Sequence, residues 1–242
     1  MSTKEDIAKC CKQLRLSQNI VENLDSIENE VPEEFLLELF QREILYRDEV
    51  RKTRSIKNAG FYKIKTFEGF QFENITLPGD LNPEELKSCK FIEDKKNLIL
   101  YGNVGTGKTH LATAVGVEAC NQGYKVLFYR TSTLVNKLLR AKKEGVLVRF
   151  IEKLNKADLI ICDEWGYVPI DRDGSRLLFQ VVSDCYERIS MVITTNIEFS
   201  RWGTIFYDEQ MTTAMIDRLV HYCHLLIFDG ESWRMKNSLI RQ

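Results

Sequence analysis

Net charge is almost missing from this sequence. Its 34 lysines and arginines stand against 35 aspartates and glutamates, leaving −1, so any nucleic-acid contact has to come from local clusters rather than from the chain as a whole. No C-x-x-C pair occurs among the seven cysteines, Cys10, Cys11, Cys89, Cys120, Cys162, Cys185 and Cys223. Their odd number and scatter fit free thiols in a reducing cytosol. Cys223 lies between His221 and His224 but lacks the second Cys or His pair of a zinc site. Long apolar runs are absent as well: the opening MSTKEDIAKC has no signal-peptide core, and no stretch has the length to span a bilayer. The expected location is therefore cytoplasmic, with no membrane partner. There are no repeats or low-complexity tracts, and 44% hydrophobic with 29% charged residues argues against wholesale disorder.

What is present suits one large α/β domain, or a small domain joined to one of ordinary size. The first third reads as helical, with short helices over 7–14 and 20–27. A longer helix follows Pro32, which a first turn tolerates, with Glu33 and Glu34 complementing its dipole. Phe35, Leu36, Leu39, Phe40 and Ile44 recur at spacings of three and four and predict one buried stripe, with Gly60 as the stop. Residues 63–83 carry Phe67, Phe70 and Phe72 and then turn formers, which reads as a connector. The expected division is a helical domain over 1–65 and an α/β domain over 66–242. In the latter, apolar runs at 97–101, 125–129, 159–162, 191–195 and 225–228 alternate with helical stretches, which predicts a parallel sheet covered by helices.

The chemistry is carried first by Gly102, Asn103, Val104, Gly105, Thr106, Gly107, Lys108 and Thr109, which match G-x-x-x-x-G-K-[ST] between a strand and a helix-forming run. Glycines let backbone N–H groups close around phosphates while the helix start adds its dipole. Lys108 is expected to reach the β- and γ-phosphates of ATP and the Thr109 hydroxyl to bind Mg²⁺. His110 is counted with the same nucleotide site.

The second half is the buried strand 159–162, which runs into Asp163 and Glu164. Its distance along the chain from Lys108 fits a neighbouring strand in a doubly wound sheet, where ligands bind beyond the carboxyl ends. Asp163 is assigned to the Mg²⁺ shell and Glu164 to polarising the attacking water. A GTPase reading finds D-x-x-G in 163–166 and N-K-x-D in 155–158, but guanine is read after a later strand, and here N-K-A-D precedes the carboxylates. Asn196, at the end of the run 191–195, could orient water against the γ-phosphate, and Arg218 stands near a helix end.

With those residues in place, the sequence resembles the IstB family of insertion-sequence helper ATPases, relatives of the DnaC helicase loaders within the AAA+ class. The resemblance runs through Lys65-Thr66-Phe67-Glu68-Gly69-Phe70, the segment 163–169, Thr194-Thr195-Asn196, Arg201-Trp202-Gly203, 217–221 and 230–234. It implies that 66–242 is a P-loop AAA+ ATPase domain without a C-terminal lid, preceded by the small helical domain. It also implies a sensor role for Asn196, an arginine finger at Arg218 reaching into a neighbour's site, and a second sensor at Arg234. Trp165 and Trp233 depart from the family's more usual Leu and Tyr. Family members assemble on duplex DNA and engage a partner transposase, so a homo-oligomer with shared ATP sites is the implied working state.

Local charge agrees with a DNA partner. Between 47 and 65 stand seven basic residues (Arg47, Arg51, Lys52, Arg54, Lys57, Lys63, Lys65) against Asp48 and Glu49, and Arg47, Arg51 and Arg54 share one helix face. A second cluster is Lys137, Arg140, Lys142, Lys143 and Arg149. No base-reading motif is visible, so the contacts expected are to phosphates. A transposition helper and a DnaC-like replicative helicase loader both remain open on these residues.

Overall fold

A computed structural model describes residues 3–28 and 31–236, and of Thr3, Pro32 and Glu33 the backbone alone. The chain divides into two compact units, Met1–Arg54 and Ser55–Gln242.

The first unit holds α1 (Thr3–Gln13), α2 (Asn19–Asn23), a 3₁₀ turn (Leu24–Ser26) and most of α3 (Pro32–Ala59). Its buried cluster is small: Cys11, Ile20, Ile27 and Leu39, with Phe35 packed at its margin. The buried stripe expected on α3 is therefore largely overturned. Leu39 is buried, but Leu36, Phe40 and Ile44 are 48%, 49% and 65% exposed. The cause is coverage: α1 has 11 residues and α2 has 5 against the 28 of α3. One turn beyond Leu39 the covered position is polar. Glu43 is buried there, accepting from the Ser17 N–H and hydroxyl and from Arg47 Nε.

The second unit begins within α3, because Ile56 and Ala59 pack into its core cluster along with Phe61. Gly60 then ends the helix at φ +85°, a conformation open to glycine. Along the chain follow β1 (Ile75–Thr76), α4 (Pro83–Lys87), α5 (Lys90–Glu93), β2 (Asn97–Gly102), α6 (Lys108–Asn121), β3 (Val126–Arg130), α7 (Thr131–Lys143), α8 (Leu147–Leu154) and β4 (Leu159–Asp163). Then come α9 (Arg172–Cys185), β5 (Ser190–Thr195), a 3₁₀ turn (Phe199–Thr204), α10 (Glu209–His221), β6 (Cys223–Phe228) and α11 (Trp233–Lys236).

The strands form one sheet in the order β1-β6-β2-β5-β4-β3. β1 is antiparallel to β6 and every other pairing is parallel. Alternate strand residues feed opposite faces, as the pleat requires. Ile99, Ile160, Cys162 and Ile193 join Leu134 and Leu138 of α7, Leu178 of α9 and Leu219 of α10. Leu98, Leu100, Ile161 and Val192 join Leu111, Val115 and Ala119 of α6 on the other face. This is the α/β architecture expected from the alternating runs. One detail is corrected: β4 is not the neighbour of β2, because β5 is inserted between them. No helix among the described residues is long and apolar enough to cross a membrane.

Candidate functional site

The site lies where β2, β5 and β4 end side by side. Leu100 pairs with Thr194, and Cys162 pairs with Ile193, so Gly102, Thr194 and Asp163 come out together at the carboxyl ends of the strands. Three loop glycines adopt positive φ, at +149° for Gly102, +86° for Gly105 and +104° for Gly107. At Gly102 space matters too, since a Cβ there would sit 2.3 Å from the Phe228 carbonyl oxygen. Gly107 caps α6 without a side chain, leaving the first N–H groups of the helix open to an anion.

Lys108 is buried, and its Nζ donates to the Gly102 and Asn103 carbonyls, each at 2.6 Å. Burial pushes its pKa down to about 8; nearby Asp163 pulls the other way, and Arg234 adds to the fall. Among the described residues Lys108 has no carboxylate partner at ion-pair distance. A buried cation in that state is suited to a polyanion. Thr106, by contrast, turns its hydroxyl to the Asn103 carbonyl, closing the loop on itself, and Val104 is 48% exposed.

Asp163 is 2% exposed, and its Oδ1 accepts two hydroxyls, Thr109 at 2.9 Å and Thr194 at 2.5 Å. Thr109 and Asp163 are thus in contact, the arrangement a Mg²⁺ ligand pair needs. Among the described residues no group of three metal-binding side chains forms, so a hard cation here would need oxygens brought by a phosphate. Glu164 has φ +58°, rare for a residue with a side chain. Its carboxylate is half-exposed and pairs with Arg130 Nε at 3.4 Å, while the Arg130 guanidinium lies 4.5 Å from the centre of the Tyr62 ring.

Other expected site residues fall into two groups. His110 and Arg234 are beside the loop. His110 Nε2 donates to the Thr66 carbonyl at 2.9 Å and its ring lies 5.0 Å from that of Phe70. α11 is held by a bond from the Trp233 N–H to the Gly105 carbonyl at 3.0 Å, which sets Arg234 near enough to Lys108 to bear on its charge. Neither Asn196 nor Arg218 forms a hydrogen bond to the other expected site residues among the described ones. Asn196 is exposed just past β5. Arg218, in the last turn of α10, donates to its own helix at the Ala214 carbonyl (2.7 Å) and lies over the Phe179 ring.

The basic residues are likewise mixed. Arg47 is tied to Glu43 and to the Arg15 carbonyl, Arg51 to Asp48, Arg140 to Glu144 and Lys142 to Asp173. Lys137 lies over the Tyr129 ring. Arg54, Lys57 and Lys143 are exposed and form no ion pair among the described residues. Sequence reasoning missed Arg130 and Thr194. The only signal for Thr194 was its place in the Thr194-Thr195-Asn196 string, and Arg130 gave none, because its partner is set by the pairing of Arg130 with Asp163 across β3 and β4.

Comparison with known proteins now decides the family: the IstB-like ATP binding protein family matches residues 13–240. The chain belongs to that family. An insertion sequence IS21 putative ATP-binding protein of Pseudomonas aeruginosa is 37% identical over 85% of this IstB-like chain and 77% of its own length. An IS5376 putative ATP-binding protein of Geobacillus stearothermophilus is 33% identical over 99% and 97%. Among solved structures, the DnaC helicase loader is similar with a TM-score of 0.53 at 20% identity, over 67% of this chain and 96% of that one. AMPPCP-bound DnaA from Aquifex aeolicus gives 0.53 at 19% identity over 71% of this chain, which spans 52% of the DnaA length. These likenesses show the fold alone, a largely parallel sheet covered by helices, in agreement with the α/β class expected from sequence.

Proposed function

We propose that this IstB-like chain binds ATP with Mg²⁺, hydrolyses it, and uses the nucleotide state to control a homo-oligomer on duplex DNA that recruits the transposase of its own insertion element. The observation that carries the reading is the convergence of Lys108, Thr109, Asp163 and Glu164 at the carboxyl ends of the central strands, beside the open start of α6. Lys108 exchanges its two loop carbonyls for phosphate oxygens, which relieves its buried charge. Thr109 and Asp163 would hold Mg²⁺, which supplies charge neutralisation at the phosphates. Glu164 leaves its half-exposed pair with Arg130 to take a proton from the attacking water. Asn196 orients that water, Arg234 reads the phosphates from α11, and Arg218 serves a neighbouring copy.

The helical domain, delimited at residue 65, is the DNA-binding and assembly part in this reading. Its support is the exposed apolar residues Leu36, Phe40 and Ile44 together with Arg51, Arg54 and Lys57. Lys137, Arg140, Lys142 and Lys143 supply a second set of phosphate contacts. The insertion-sequence names of the relatives from Pseudomonas aeruginosa and Geobacillus stearothermophilus favour transposition over a helicase-loader role. The test is Glu164→Gln: the variant is expected to bind ATP, hydrolyse it at least about a hundredfold more slowly, and stay trapped on DNA. Normal turnover would remove Glu164 from this role.

A further inference from the structure

We infer that Thr194 is a positioning residue that sets Asp163 and Glu164 for hydrolysis through a single hydroxyl. The inference rests on the hydrolysis reading above. Thr194 lies at the end of the strand inserted between the phosphate-loop strand and the carboxylate strand, and it is 2% exposed. Its hydroxyl donates to Asp163 Oδ1 at 2.5 Å and accepts the Glu164 N–H at 3.0 Å. Its carbonyl accepts the next amide, the Trp165 N–H, at 2.8 Å. One residue thus holds the Asp163 carboxylate and the Glu164 backbone through its side chain, and the Trp165 N–H through its own backbone.

The grip has a conformational purpose. Glu164 stands at φ +58°, where side-chain-bearing residues are held only by surrounding structure. The bond from its N–H to Thr194 Oγ1 is what the side chain contributes to holding it there. Without that oxygen the partly buried N–H loses its partner, Asp163 Oδ1 keeps only Thr109 as a hydroxyl donor, and Glu164 can relax to an ordinary φ that re-aims its carboxylate. A valine has the shape of threonine and would fill the same buried space, so packing alone cannot explain the hydroxyl.

The full-length protein is compared as wild type, Thr194→Val, Thr194→Ser and Glu164→Gln, measuring kcat, KM for ATP, ATP affinity in EDTA and thermal melting. For Thr194→Val, kcat is expected to fall at least about tenfold while ATP affinity in EDTA stays within about threefold, and Thr194→Ser should recover most of kcat. The inference is overturned if Thr194→Val keeps kcat within about twofold of wild type. Equally, it is overturned if valine and serine lose activity and melting temperature together. Should the valine variant not fold, Thr194→Ser against Thr194→Ala reads the same hydroxyl. A normally active Glu164→Gln would instead refute the hydrolysis reading itself.

Discussion

Lys108 carries a cost of burial that an anion relieves. Its pKa in the free protein is lowered to about 8 by desolvation, whereas a lysine in water titrates at about 10.4. Phosphate beside the ammonium favours the charged form and raises that value. Between the free and the bound pKa, nucleotide therefore binds together with a proton, and affinity falls as pH rises through about 8. Well below that pH the lysine is already charged in both states and the linkage vanishes. Calorimetry at pH values spanning this range, in buffers of different ionisation enthalpy, should show proton uptake on ATP binding that fades towards neutral pH. A binding enthalpy independent of buffer throughout would mean that burial does not bring Lys108 down to about 8 in the free protein, or that phosphate does not restore its proton. The Glu164–Arg130 pair works on a smaller scale, since half-exposed ion pairs contribute about 0–1 kcal/mol. The release of Glu164 that the proposed hydrolysis requires is correspondingly cheap.

At the scale of the element, α3 joins two unlike surfaces, an apolar stretch around Phe40 and a basic one beyond Arg47. If the basic stretch lies on phosphates, each contact displaces a counterion. Replacing Arg51 and Arg54 by alanine should then flatten the slope of log affinity against log salt by about 1.8, at about 0.9 per contact. Fluorescence anisotropy with duplex DNA over a salt series checks this, and an unchanged slope excludes both residues. Helix α3 also shows where the sequence stopped being legible. Periodicity identified the apolar face of α3, but whether anything covers that face depends on the short lengths of α1 and α2. Five strands were readable because each holds a run of β-branched, aliphatic or aromatic residues between helical stretches, whereas β1 has two residues and is defined by its pairing with β6. The phosphate loop was legible because its chemistry is contiguous. Thr194 and Arg130 were not, because their partners follow from the insertion of β5 between β2 and β4 and from the β3–β4 register.

For the whole molecule the proposed role of Arg218 in a neighbouring copy makes the sharpest prediction. Its guanidinium is bonded to Ala214 of its own helix, lies over Phe179, and has no carboxylate partner among the described residues. An arginine held that lightly can be redirected when a second copy docks, and supplied across an interface it is worth about 10³ to 10⁵ in rate. A site shared in this way makes each interface, not each chain, the unit of activity. Arg218→Ala alone should therefore bind ATP yet lose turnover, and Glu164→Gln alone should do the same for the opposite reason. Mixed in equal amounts they form interfaces of four kinds, of which about one quarter unite an intact Glu164 with an intact Arg218. Turnover of the mixture on duplex DNA should rise well above either variant and approach that fraction of wild type. If the mixture stays as inactive as its parts while both variants still bind ATP and DNA, then Arg218 acts within its own chain or not at all, and hydrolysis does not depend on how copies are joined.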